Sequence, residues 1–135
     1  MKNVLIKASV LAGLALFGTT VFAQNRDDDR FYQNRDEGYW RGHLFQRVRE
    51  DLDHIQQVTP KISTDEYRVV QTKRDLDDMQ GKFDSGRYDE ASLDRTIAAV
   101  ERVANINDLA ARDRALLQED LRRLREFRAH HEGVR

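Results

Sequence analysis

Pro60 is the only proline in this 135-residue chain, and there are just seven glycines. A β-sandwich or barrel needs a turn every few residues, and turns draw on proline, glycine, asparagine and aspartate. The apolar residues here recur instead at spacings of three and four, the period of a helix. Long helices joined by a few short links are the architecture to expect. Cysteine is absent, so packing alone must hold the helices together.

The stripes predict four of them. Over residues 39–57, Trp40, Leu44, Val48, Leu52 and Ile55 share one face, widened by Phe45, and Pro60 stops the helix. Residues 64–83 follow Ser63, which with Glu66 forms the pattern of a capping box. Val69, Leu76 and Phe83 stand a heptad apart there, with Thr72 and Met79 between them, and Gly86 is the expected terminator. Residues 90–105 start behind Asp89 as N-cap and carry Leu93, Ile97, Val100 and Val103 on one side. Asn105 to Asp108 reads as a turn. Residues 111–130 place Leu117, Leu121, Leu124 and either Phe127 or Arg128 on a stripe. Matched lengths and short links predict an all-α fold, a small antiparallel four-helix bundle spanning residues 39–135, with three helices as the alternative.

Ahead of the bundle stands an export signal. Lys2 and Lys7 make a basic start, residues 8–17 (ASVLAGLALF) form an apolar run, and Val21-Phe22-Ala23 puts small residues at −3 and −1. This pattern predicts a cleaved signal peptide over residues 1–23, with cleavage after Ala23. The run is shorter than the roughly 20 residues a membrane span requires. The expected product is a periplasmic or secreted protein with no transmembrane segment. Residues 24–38 (QNRDDDRFYQNRDEG) have no apolar period and carry Asp27, Asp28 and Asp29 in a row, which predicts a flexible charged tail.

Charge narrows the function classes. The full chain has a formal net charge of −1, and losing Lys2 and Lys7 makes the product more acidic. Nucleic acid is not the expected partner. No P-loop, G-x-G-x-x-G, G-x-S-x-G or S-x-x-K is present. Ser63, Ser85 and Ser92 fall at caps or turns, where serine has a structural task. The acids Asp75, Asp77, Asp78, Asp84, Asp89 and Glu90 do not follow a calcium-loop pattern. The repeated L-T-x-x-Q of one group of small exported helical chaperones is missing too. The chain reads as non-enzymatic and without a cofactor.

Two surface features remain. His130 and His131, followed by Glu132, are candidate ligands for a weakly held divalent or transition metal. His43 and His54 sit three turns apart, about 16 Å along a helix, too far to share an ion. The other feature is an arginine-rich face on the fourth helix. Arg122, Arg123, Arg125 and Arg128 crowd its C-terminal half, while acids outnumber bases between Asp65 and Glu90. One reading is salt bridging between helices two and four. The other is an interaction surface for a protein or an anionic envelope component, since arginine makes planar bidentate contacts. Trp40, at the start of the first helix, offers a separate aromatic anchor for a partner. These features predict an interaction protein, chaperone-like or stress-related, acting as monomer or homodimer, with metal binding as the alternative.

Overall fold

The computed structural model describes residues 42–132. They form four helices: α1 (Leu44–Val58), α2 (Thr64–Asp84), α3 (Glu90–Ile106) and α4 (Ala111–Glu132). No strand occurs among the described residues. Each helix packs on the next, and α4 returns to α1. The diagonal pairs, α1 with α3 and α2 with α4, make no close approach. The four-helix expectation holds and the three-helix alternative falls. No helix of the described residues is long and apolar enough to cross a membrane.

The core comes from the expected stripes. Val48, Leu52 and Ile55 of α1, Val69 and Leu76 of α2, Leu93, Val100 and Val103 of α3, and Leu117 and Leu124 of α4 are all fully buried. Each contributes on the order of 1.5–3 kcal/mol relative to exposure. Thr72 and Thr96 lie among them because each hydroxyl donates to the carbonyl four residues back, Arg68 and Ser92 respectively.

The start of the first helix departs from expectation. Gly42 takes φ +70, and His43 has φ −137 with ψ 30, so the backbone turns helical only at Leu44. Trp40, the signal peptide (1–23) and the tail (24–38) lie outside the described residues.

Caps behave more as expected. Ser63 Oγ accepts from the Glu66 N–H at 3.0 Å. The Glu66 carboxylate reaches back one residue further than a capping box requires, accepting from the Ile62 N–H at 3.2 Å. Gly86, at φ +84, follows the C-cap Ser85. Its N–H donates to Phe83 O and the Arg87 N–H to Lys82 O, the paired bonds of a Schellman motif. Asp89 caps α3 through the N–H groups of Ala91 and Ser92. Its other oxygen accepts from Lys82 Nζ at 3.0 Å and Ser92 Oγ at 3.0 Å. The Lys82 ammonium, with Ser92 second, pulls the Asp89 carboxyl down to about 2.

Not every inward position is apolar. Asp51, Asp113 and Asp120 are buried, none of them a residue of the sequence stripes. His54 Nε2 lies 3.1 Å from Asp113 Oδ1 and joins α1 to α4. Asp51 is one turn before His54 and Asp120 two turns after Asp113, so all four line one polar seam between these helices.

Candidate interaction surface

The α1–α2 connection runs through Thr59, Pro60, Lys61 and Ile62. Thr59 Oγ1 donates to Ile55 O at 2.6 Å, and Ser63 Oγ donates to Pro60 O at 2.6 Å. Lys61 Nζ donates to Gln56 O and pairs with Glu66. These bonds hold Ile62 at φ +56, a left-handed conformation, with its side chain 99% exposed. For a β-branched residue that conformation costs about 1–2 kcal/mol. No burial offsets it.

Ile62 is not alone at this end. Among the described residues the exposed large apolar side chains are Val58, Ile62, Tyr67, Phe83 and Ile106. All but Phe83 belong to the end where α1 finishes, α2 starts and α3 finishes. A polar clasp fastens that end from within. Asn107, buried just past α3, accepts from Arg68 through Oδ1 (3.1 Å) and donates through Nδ2 to Asp65 O (3.0 Å). The Asp65 carboxylate accepts from the Asp108 N–H at 2.9 Å. Arg114 of α4 donates to Ala104 O and Asn107 O at the end of α3. A cation there also suits the helix dipole.

Two grooves flank Tyr67. One, about 570 Å³, is lined by Ile62, Ser63, Thr64, Glu66, Tyr67 and Val70 and is mainly apolar. The other, about 300 Å³, lies between α2 and α3 and includes Tyr67, Arg68, Gln71, Asp75 and Arg102.

The opposite end is closed by rings. Phe45, Phe83 and Phe127 meet edge to face with centroids 5.0–5.5 Å apart. Tyr88 stacks on His131 at 4.6 Å.

The arginines expected to form a surface lie on α4, but their charge is met within the bundle. Arg122 bonds Glu119 and Glu126, and Arg123 bonds Glu119. Arg122 first, and Arg123 after it, hold the Glu119 carboxyl below its usual range. Arg125 faces Glu101 at 3.5 Å, and Arg128 reaches Glu90 (2.9 Å) and Asp94. The expected bridging between helices two and four is therefore corrected. The two are diagonal, and α4 draws its acids from α3 and from itself. The acids of α2 look elsewhere: Asp77 pairs with Arg49 of α1, and Asp78 with Lys82.

His130 and His131 close α4 with ring centroids 6.0 Å apart. His131 Nδ1 lies 2.9 Å from Phe127 O, which commits that nitrogen as donor. Among the described residues no three His, Asp or Glu groups gather as a metal site. His54 faces Asp113 across the α1–α4 seam.

Sequence reasoning passed over Ile62, Tyr67, Arg102 and Asn107. One signal was present: Ile62 is an apolar residue in a link, outside every stripe. Comparison with family models, characterised proteins and solved structures gives no match to this chain.

Proposed function

We propose that this chain is an exported, non-enzymatic interaction protein, periplasmic or secreted, that meets a protein partner through the apolar end of its bundle. The carrying observation is Ile62: a fully exposed branched side chain on a left-handed backbone, sharing a groove with exposed Tyr67 at the end where Val58 and Ile106 are also exposed. Exposed apolar groups that cluster mark contact sites. The arginine face supports this reading less, since its guanidinium groups already meet acids. We also infer that neighbouring helices run antiparallel. Supporting this, Arg128 near the end of α4 meets Glu90 at the start of α3, and Asp65 at the start of α2 meets Asn107 beyond α3.

A chaperone-like role gives this reading its test. The exported chain, at several-fold excess, is expected to suppress aggregation of two unrelated model clients. Tyr67→Ala and Ile62→Gly should weaken that suppression while leaving the fold intact. Unchanged aggregation of both clients rules the chaperone-like form out. Export is checked by N-terminal sequencing of the periplasmic protein, which should begin at Gln24.

A further inference from the structure

Resting on the interaction reading above, we propose that the two grooves around Tyr67 select a partner segment in which an apolar side chain is followed by one carboxylate. The apolar part belongs in the groove of Ile62, Tyr67 and Val70. The adjoining groove supplies the charge preference, and four charged side chains lining the two grooves decide its sign. Arg68 is committed: its guanidinium bonds Asp65 and Asn107. Glu66 is committed as well, to the Ile62 N–H and to Lys61. Arg102 differs. Its one side-chain bond is Nε to the Ala98 carbonyl at 3.4 Å, and among the described residues no carboxylate pairs with it. It is a guanidinium with its planar fork available, the donor geometry suited to a carboxylate.

Asp75 limits the preference to a single acid. It lines the same groove as Arg102 and lies eight residues beyond Tyr67, about 12 Å along α2. A partner with one carboxylate near Tyr67 gains Arg102, whereas a run of acids meets Asp75. An anionic membrane surface does not match this groove, because one available cation set against one acid is no basic patch.

Fluorescence anisotropy with three short labelled peptides tests this on the full exported chain. The peptides are identical except for a central Leu-Asp, Leu-Lys or Ala-Asp. Leu-Asp should bind best. Leu-Lys should be weaker by up to about fivefold, the range of an exposed ion pair, and Ala-Asp weaker still. Arg102→Glu should invert the order of the two leucine peptides, and Asp75→Asn should tighten Leu-Asp by a factor within the same range. Tyr67→Ala should weaken all three. Equal affinity for the two leucine peptides, unmoved by Arg102→Glu, overturns the charge preference. If Tyr67→Ala still weakens binding in that case, the interaction reading stands without it. No peptide binding, with client suppression still lost in Tyr67→Ala, overturns the groove assignment alone. No effect of Tyr67→Ala on peptides or clients overturns both. Binding of phosphatidylglycerol vesicles lost in Arg102→Glu, or a dimer lost in Tyr67→Ala, assigns the surface to a lipid or a second copy and overturns the peptide.

Discussion

The two ends of this bundle handle apolar side chains in opposite ways. At one end Phe45, Phe83 and Phe127 pack on one another, Phe83 keeping one side in solvent, and Tyr88 and His131 stack beside them. At the other, the interior fastening is polar, built on Asn107, Asp65 and Arg68, while Val58, Ile62, Tyr67 and Ile106 face solvent. The first end spends its rings on cohesion. The second holds its shape with hydrogen bonds, which leaves its apolar groups free for contact. Stability and the proposed contact role are thus separable here, and substitutions can pull them apart.

The largest effect belongs to the ring end. Phe45→Ala should cost about 3–5 kcal/mol in chemical denaturation, since it removes a buried ring and opens a cavity among its neighbours. Asn107→Ala should cost about 1–3 kcal/mol, because Arg68 and the Asp65 carbonyl then lose a buried partner. If it costs under half that, the polar clasp is not what holds the second end. Ile62→Gly carries the opposite sign. Glycine accepts φ +56 without steric penalty, so the variant should be as stable as the parent or more stable by up to about 1 kcal/mol. A clear destabilisation would mean that Ile62 is packed, and the contrast between the ends would fail.

Acid sharpens the comparison further. Asp89 titrates at about 2 in the fold against an ordinary 3.8, so its contribution is complete above pH 4 and fades as pH falls toward 2. Asp89→Asn keeps an N-cap but should flatten that part of the stability–pH curve, with the change confined to the ring end, where Lys82 and α3 meet. Smallest of all, Tyr67→Ala should shift stability by no more than about 0.5 kcal/mol. Thermal unfolding in parallel with the client assay checks that its effect is on contact alone.

Local chemistry was the legible part of the chain. Pro60, Ser63, Gly86 and Asp89 were readable because a helix end depends on a handful of adjacent backbone groups. The stripes through Leu52, Leu76, Val100 and Leu117 were readable for the same reason, since one helix carries its own period. What escaped depends on partners far along the chain. Asn107 looked like any turn asparagine until Asp65 and Arg68 came beside it. Asp51 and Asp120 each precede an apolar position, and only the approach of α1 to α4 turns them inward. The arginines of α4 were legible as a cluster. Their acids on α3 were not, because the order of helices around the bundle decides which faces meet. Gly42 shortened the first helix although the apolar stripe ran on through Trp40, since a backbone at positive φ outweighs side-chain period.

Closure of the helix circuit has a kinetic consequence. Three of its four contacts join helices adjacent in the chain, so they form across short loops at low entropic cost. The fourth, sealed by His54 and Asp113, spans 59 residues and closes a far longer loop. Beyond the Phe45–Phe127 ring contact, that seam carries the buried Asp51 and Asp120, which lessens the apolar gain that drives early collapse. The last step of folding and the first step of opening therefore fall at the same place. Substitutions at His54 or Asp113 should act on the unfolding rate, and those at Leu76 or Val100 on the folding rate, the two limbs of one chevron.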